Sequence, residues 1–168
     1  TIKGQGDFTD SIGNLKGGEK VYIDGPFGNF SLDDPRTENG LVLLAGGIGS
    51  APVMSMLHTL ANQKDQRPVY FFYGNYDDEN IIFLDEINKL KKSLNLSVFH
   101  VLEVASKQIE SEIGFISREL LDRELPENRN DLYYFSCGPL AMIAAMEKHL
   151  HSLGIPRKQT TSEKYEMA

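Results

Sequence analysis

The chain has 168 residues, of which 40% are hydrophobic and 24% are charged, and its formal net charge is −7. This length and composition are typical of one globular domain with a substantial core. The acidic balance argues against a nucleic-acid-binding surface, which requires clustered lysines and arginines. The single cysteine, Cys137, excludes a disulfide framework or a cysteine-ligated iron–sulfur cluster within this chain, and a lone thiol favours a reducing compartment.

The first part of the chain, residues 1–38, differs in character from the rest. The segment GDFTDSIGNLKGGEKVYIDGPFGNF, residues 6–30, mixes short apolar stretches with glycine turns, which predicts a β-rich region with hairpins. The polar segment SLDDPRTENG, residues 31–40, predicts a linker. We therefore divide the chain into a β-rich N-terminal part with its linker, residues 1–38, and a second unit, residues 39–168.

From Leu41 onward, apolar runs of strand length alternate with amphipathic segments of helical period. Five strands are predicted, at Leu41–Ala45, Val69–Tyr73, Leu96–Leu102, Leu132–Ser136 and Gln159–Tyr165. Four helices are predicted, at Ala51–Gln63, Ile81–Leu94, Ser117–Glu124 and Pro139–Leu153, with Ser117 as an N-cap. The alternation predicts an α/β fold in which a five-stranded parallel sheet has helices on both faces, as in Rossmann-like nucleotide-binding domains. In such sheets ligands bind beyond the carboxyl ends of the strands.

A glycine-rich turn follows the first predicted strand and precedes the first long helix. Its sequence is GGIGSAP, residues 46–52. Glycines permit positive φ angles and close backbone approach, and the start of a helix offers amide donors to an anion. The turn therefore has the features of a phosphate cradle. A purely structural bend is the alternative, because Pro52 stands where the full dinucleotide motif has its third glycine.

Two further motifs come directly after predicted strands. YGNYDDEN, residues 73–80, places acidic residues where dinucleotide sites hold the ribose hydroxyls, although these residues also suit the first turn of the next helix. SCGPLAM, residues 136–142, places the Cys137 thiol at the ligand edge of the sheet, with a buried structural cysteine as the alternative.

Taken in order, these motifs resemble those of the ferredoxin–NADP reductase superfamily, whose members join an FAD-binding barrel to an NAD(P)-binding α/β domain. GDFT resembles the flavin pyrophosphate segment, GPFGNF the end of the barrel, and GGIGSAP the family's Gly-x-Gly-x-x-Pro turn. FFYGN, SCGPLAM and SEKY resemble the second-strand motif, the Cys-Gly-Pro motif and the C-terminal Glu-x-aromatic motif.

The resemblance implies a set of cofactor contacts, each carried by one of these motifs. Those expected at the flavin are Gly6, Thr9, Gly25 and Pro26. Those expected at the nicotinamide dinucleotide are Gly46, Gly47, Gly49, Ser50, Pro52, Tyr73, Gly74, Asp77, Gly138 and Pro139. NAD is favoured over NADP, because Tyr76 stands near the family's usual basic residue and an acidic run follows it.

The activity implied by the resemblance is hydride transfer from NAD(P)H to FAD, followed by single-electron transfer to an acceptor. Three residues are expected to be catalytic: Cys137 beside the reacting carbon of the nicotinamide, Glu163 in the polar network around it, and Tyr165 over the isoalloxazine. No metal site is expected. A non-catalytic nucleotide-binding regulatory module and a partner-docking α/β domain are the other two classes considered, and the Cys137, Glu163 and Tyr165 set argues against the first.

The expected partners follow from the same resemblance, which is greatest to the ferric-reductase and NADPH-oxidase-like branch. The chain starts after the family's Arg-x-Tyr-Ser flavin segment, so residues 1–38 are expected to supply only the last strands of the barrel. The rest of the barrel is then the expected partner for FAD. A ferric chelate, a haem segment or an iron–sulfur protein is the expected electron acceptor. The expected location is the cytoplasm, or the cytoplasmic face of a membrane if the parent protein carries a membrane haem segment.

Overall fold

The computed structural model of the chain describes residues 2–4, 6–25 and 28–165, with Tyr165 described by its backbone alone. Pro26, a predicted flavin contact, lies outside the described residues, as does the side chain of Tyr165. From Leu41 onward, strands and helices alternate as predicted. The division into residues 1–38 and 39–168 stays a prediction.

The strands form one parallel sheet in the order β4-β3-β2-β1-β5-β6. They are β1 (Leu41–Gly46), β2 (Val69–Asn75), β3 (Leu96–Leu102), β4 (Glu112–Ile113), β5 (Tyr133–Pro139) and β6 (Thr160–Tyr165). The five predicted strands are confirmed, with bounds that differ by a few residues. The predicted count of five is wrong by one strand: β4 has only two exposed residues, paired with Val101 and Leu102, and so shows no apolar pattern.

The helices cover both faces of the sheet, as predicted. The four helices that come after β1 in the chain are α2 (Ser50–Gln63), α3 (Leu84–Leu90), α4 (Arg118–Glu124) and α5 (Leu140–Ser152). Leu41, Leu43 and Ala45 of β1 pack in one core with α2 and α3, whereas Val42 and Leu44 pack in the other core with α4 and α5. Because β1 lies between two helical layers, its apolar run is fully buried.

Helix α4 begins where the sequence predicts. The Ser117 hydroxyl accepts a hydrogen bond from the backbone N–H of Leu120 at 3.1 Å, which satisfies one of the amide donors left over at a helix start.

Helix α3 is shorter than the predicted Ile81–Leu94. It starts at Leu84 because Phe83, the residue before it, has a left-handed backbone with φ of 70°. After Leu90 the chain continues in turns that end at Leu94. The acidic residues at 77–79 therefore precede the helix by several positions, so their alternative interpretation as its first turn is wrong.

The prediction of a β-rich region before the linker is also wrong for the described residues. Residues 2–4, 6–25 and 28–40 contain no strand, and the chain instead forms α1 (Asp7–Ser11) and two 3-10 turns, over Ile12–Asn14 and Pro35–Thr37. The backbone N–H of Asp10 donates to the Gly6 carbonyl at 3.0 Å, and acidic side chains in the first turn suit the helix dipole. The apolar stretch at 21–23 stays exposed, since no neighbouring strand among these residues offers it hydrogen bonds.

The linker is attached firmly to the α/β unit. The Phe30 ring meets the Phe135 ring of β5 edge to face, with 5.0 Å between centroids. The Arg36 guanidinium lies over the ring of Tyr133 at 5.0 Å and donates to the carbonyl of Lys158. The chain that precedes the sheet is thus fixed to the β5–β6 side.

Arg67 makes a second attachment between the linker and the sheet, and we expect Arg67→Met to lower the free energy of unfolding by about 1–3 kcal/mol. Its Nη1 donates to the Thr37 carbonyl at 2.8 Å, and its Nη2 binds the Asp65 carboxylate at 2.6 Å. This pair lowers the pKa of Asp65 below its usual value. A carboxyl whose folded pKa is depressed stabilises the protein above its unfolded pKa of about 3.9 and loses that contribution as the pH falls.

Urea unfolding at pH 7 and at pH 3 measures this effect, and the loss should be larger at pH 7. Arg118→Met is the control, because Arg118 makes only a long, exposed ion pair with Asp122 at 4.0 Å. Equal losses for the two variants at pH 7 would contradict the role of Arg67.

Candidate functional site

The carboxyl ends of β1, β2 and β5 surround a cleft of about 890 Å³. Helices α2 and α3 lie on one face of the sheet and α4 and α5 on the other, so the chain reverses its winding between β1 and β5. Such a switch point is where open α/β sheets bind ligands. The cleft is lined by residues from the glycine turn, from the loops after β2 and β3, and from α5: among them Gly46, Gly47, Ile48, Gly74, Asn75, Tyr76, Glu79, Glu103, Phe115, Pro139 and Met142.

Two glycines of the turn are required for different reasons. Gly47 has a left-handed backbone with φ of 52°, and a Cβ added there would meet nothing within 4 Å, so its backbone faces the open cleft. A Cβ added at Gly49 would lie 2.1 Å from the carbonyl oxygen of Cys137, so Gly49 lets α2 start directly against β5. The turn is therefore a tight structural bend and, at Gly47, also an open backbone surface for a ligand.

Ser50 and Tyr73 support this turn from beneath. The Ser50 hydroxyl donates to the Gly47 carbonyl at 2.9 Å, and the Tyr73 hydroxyl donates to Ser50 Oγ at 2.9 Å. Both side chains are fully buried, and burial raises the pKa of Tyr73, so the phenol keeps the proton that it donates. Both side chains thus support the turn, and their contacts with the dinucleotide stay predictions. Pro52 lies in the first turn of α2, where its missing N–H leaves no helix bond unmade.

Asn75, which the sequence reasoning did not single out, presents a buried polar group at the cleft. Its side-chain Nδ2 has no hydrogen-bond partner among the described residues, although the amide is near enough to Tyr73 to lower the pKa of that phenol slightly. A buried donor without an acceptor costs about 1–3 kcal/mol, which a ligand oxygen in the cleft would offset. The sequence signal for Asn75 was its place in the YGNYDDEN segment, directly after Gly74, which also lines the cleft.

The acidic side chains that line the cleft differ from the one predicted. The Asp77 carboxylate accepts a hydrogen bond from the backbone N–H of Asn80 at 3.0 Å, so it closes its own loop. Glu79 and Glu103 line the cleft instead. Glu103 follows β3 directly, so the available signal was an acidic residue at the end of the third strand. Two carboxylates at this wall favour neutral hydroxyl groups over a phosphate.

Two exposed aromatic side chains on the cleft wall were also missed. Phe115 is 77% exposed and Tyr76 is 59% exposed, and both line the cleft. Large exposed aromatic rings at a concave surface are suited to stacking against a planar ligand ring.

Cys137 and Glu163 are brought together by the pairing of β5 with β6. The two residues are directly opposite in the parallel register, and Tyr165 lies opposite Pro139 at the ends of the same strands. Cys137 is buried, Glu163 is exposed, and neither lines the cleft as Pro139 does. Burial raises the pKa of the Cys137 thiol to about 11, with a further contribution from the Glu163 carboxylate. Near neutral pH the group is a thiol, which excludes a thiolate nucleophile there.

We expect alkylation of Cys137 by iodoacetamide to be slow in the folded protein and to reach half of its limiting rate near pH 11. The chain in urea should reach that point near pH 8.5, the usual thiol value. Because this is the single cysteine of the chain, the reaction can be followed by mass alone. Equal profiles for the folded and the denatured protein would contradict the burial of the thiol.

Of the predicted flavin contacts, Gly6, Thr9 and Gly25 are not among the residues that line this cleft. Gly6 precedes α1 with φ of 105°, Thr9 Oγ1 donates to the Gly6 carbonyl at 3.2 Å, and Gly25 also has a positive φ of 148°. From this N-terminal part, Lys3 reaches the cleft lining. Gly138, at the end of β5, lies beneath the Met142 side chain. The flavin contacts of Gly6, Thr9 and Gly25 stay predictions.

The sequence and the structure are similar to those of known cytochrome b5 reductases. Residues 43–148 match the family described as oxidoreductase NAD-binding domain. NADH-cytochrome b5 reductase 1 of Mycosarcoma maydis is 30% identical over 162 residues, which are 95% of this chain and 50% of that protein. NADH-cytochrome b5 reductase 1 of Lodderomyces elongisporus is 32% identical over 161 residues, covering 94% of this chain and 53% of that protein. The chain therefore spans about half the length of these curated relatives.

Solved structures agree with this similarity. The cytochrome b5 reductase domain of Ulva prolifera nitrate reductase superimposes with a TM-score of 0.82 at 22% identity, over 94% of this chain and 64% of that one, which shows the fold. The CS-b5R domains of human Ncb5or in the NAD+ form superimpose with a TM-score of 0.79 at 27% identity, over 96% of this chain and 46% of that one. Within the described residues, no helix combines the length and the apolar character needed to cross a membrane.

Proposed function

Because the chain belongs to the oxidoreductase NAD-binding domain family, we propose that it is the NADH-binding part of a flavin-dependent reductase. The resemblance to the ferredoxin–NADP reductase superfamily is thereby confirmed at the level of this domain. The observation that carries the proposal is the open backbone of Gly47 at the winding reversal between β1 and β5, facing a cleft large enough for a dinucleotide.

The residues of the cleft fit the parts of NADH. The glycine turn and the start of α2 suit the pyrophosphate, since a helix N-terminus attracts anions. The Asn75 amide offers the donor that it has not used within the described chain. The exposed rings of Tyr76 and Phe115 offer faces to the adenine.

NADH is preferred to NADPH in this proposal, because Glu79 and Glu103 line the cleft and their charge opposes a 2′-phosphate. The names of the relatives, NADH-cytochrome b5 reductases, and the NAD+ form of a solved relative support the same preference.

FAD, when bound by the full-length protein, would supply the chemistry that links a two-electron hydride donor to a one-electron acceptor. Because the chain spans about half the length of its curated relatives, we propose that a further part of the protein completes the FAD site. This chain's own contribution is positional. We propose that the ends of β5 and β6, where Pro139 lines the cleft and Cys137 lies buried, position the nicotinamide, since reacting atoms must approach within about 3–3.5 Å.

For the electron acceptor we propose a haem protein of the cytochrome b5 kind, which the names of the relatives support. The sequence-based similarity to the ferric-reductase branch finds no support in these relatives. A ferric chelate or an iron–sulfur protein is therefore not part of the proposal.

We expect Cys137→Ala, in the full-length protein, to slow hydride transfer about ten- to a hundredfold, because loss of the buried sulfur loosens the end of β5 where we propose that the nicotinamide lies. The Kd for NADH should change less than about twofold, since the pyrophosphate and adenosine contacts remain. Cys137→Ser, which keeps a donor of similar size, is the matched control. Single-turnover reduction at an unchanged rate in Cys137→Ala would remove the residue from the reaction.

Anaerobic mixing of the full-length protein with NADH tests the proposal as a whole, with bleaching of the flavin absorbance as the signal. Fast bleaching by NADH, followed by reduction of added cytochrome b5, is the expected result. Saturable NADH binding without bleaching would favour a regulatory nucleotide-binding module. Absence of binding would favour a partner-docking domain.

A further inference from the structure

Two loops contribute to the wall of the cleft: residues 76–83 after β2, with Tyr76 and Glu79 in the lining, and residues 103–111 after β3, with Glu103 in the lining. We propose that Ser106 is a positioning residue for NADH: its hydrogen bond to Asp78 fixes these two loops to each other and so holds Glu103 and Tyr76 in place at the cleft. The inference rests on the function proposed above and names how the adenosine side of that site is shaped.

The Ser106 hydroxyl is fully engaged. It donates to the Asp78 carboxylate on the opposite loop, and its oxygen accepts from the backbone N–H groups of Gln108 at 2.9 Å and Ile109 at 3.2 Å. One small side chain thus orders its own loop and joins it to the other. Hydrogen bonds to an ionised acceptor are about twice as strong as neutral ones.

The Ser106–Asp78 contact lies close along the chain to residues that line the cleft, so it can affect their positions. Near the strands, the loops are joined by the backbone N–H of Glu103 to the Asn75 carbonyl at 3.2 Å and the N–H of Val104 to the Tyr76 carbonyl at 2.8 Å. Two residues further along each loop, the Ser106–Asp78 contact joins them again. Glu103 and Tyr76 therefore take part in the backbone bonds, and the side-chain pair lies two or three residues further along the same loops.

The far end of the second loop is anchored as well, because Ile109 packs against the apolar core on the α2–α3 face. Ser106 and Asp78 are both half-buried, whereas Glu103 and Tyr76 are exposed to the cleft. The two residues that join the loops are thus more buried than Glu103 and Tyr76, which line the cleft. A wall held before the ligand arrives lowers the ordering cost of binding.

The test is Ser106→Ala in the full-length protein, with steady-state NADH oxidation and amide hydrogen exchange as readouts. Loss of one charge-assisted hydrogen bond should raise the KM for NADH about three- to tenfold. The kcat should stay within about twofold, because the nicotinamide end is untouched. Ser106→Thr should restore the KM. Ser93→Ala, which removes a hydroxyl bonded to the Leu90 carbonyl away from the cleft, is the matched control.

Hydrogen exchange without NADH separates this inference from the proposed function. Faster exchange at residues 103–111 in Ser106→Ala together with the raised KM supports the positioning role. Asp78→Ala, which leaves no acceptor for the Ser106 hydroxyl, should give the same rise, and the double variant no further rise. Faster exchange with an unchanged KM overturns the role, as does a fall in kcat that matches the rise in KM. A parent protein that oxidises no NADH overturns the proposed function, and the positioning role with it.

Discussion

Gly49→Ala should lower the free energy of unfolding by about 3 kcal/mol and weaken NADH binding about tenfold or more. The new methyl group would lie 2.1 Å from the carbonyl oxygen of Cys137 and 2.6 Å from its carbonyl carbon. Both atoms belong to the backbone of β5, so no side chain can rotate away to make room. Either the start of α2 moves outward or the end of β5 bends, and each movement displaces the glycine turn from the cleft.

Urea unfolding and calorimetric titration with NADH measure the two parts of this effect. Gly13→Ala is the matched control, because a Cβ at that position meets nothing within 4 Å. The control should change neither quantity beyond a few tenths of a kcal/mol. An alanine at position 49 that binds NADH as tightly as the parent would mean that α2 and β5 are not in the contact described.

Glu103→Gln should raise kcat/KM for NADPH relative to NADH about tenfold or more, because one of the two carboxylates that line the cleft is neutralised while the side chain keeps its shape. Glu103 lines the cleft, and its backbone N–H is tied to the Asn75 carbonyl at 3.2 Å, so the side chain cannot simply move away with the loop. Steady-state rates with each nucleotide give the ratio directly.

Asp77→Asn is the informative comparison for this variant. Its carboxylate accepts from the Asn80 N–H at 3.0 Å, and an asparagine oxygen can accept the same bond. We expect the nucleotide preference of Asp77→Asn to stay as in the parent. A shift in Asp77→Asn and none in Glu103→Gln would restore the sequence-based assignment and contradict the geometry.

The sheet was predictable because its strands are buried on both faces. Each residue of β1 is buried, so the strand appears in the sequence as an uninterrupted apolar run. Strand β4 was not predictable, since its two exposed residues carry no such signal. The N-terminal residues were misread because their glycine and apolar pattern indicates strands, whereas strands also require partners that these residues do not find within the described chain.

The site was predictable only as far as its backbone. The glycine turn and the Cys-Gly-Pro segment lie at the strand ends, as their sequence order indicates, but their interlocking through Gly49 and the Cys137 carbonyl depends on three-dimensional contact. The buried Tyr73–Ser50 bond beneath the turn is likewise invisible in the sequence. The acidic residues that line the cleft depend on how two loops fold. The Asp77 carboxylate instead accepts a hydrogen bond within its own loop, from the backbone N–H of Asn80.

Calorimetric titration of the full-length protein with NADH and, separately, with NADPH is the most direct test of the central claim, that the cleft at the ends of β1, β2 and β5 holds NADH. Saturable binding of NADH, tighter than that of NADPH and weakened by Gly49→Ala, is the predicted result. No heat of binding with either nucleotide at millimolar concentration would contradict the claim, and the glycine turn would then be a structural bend alone.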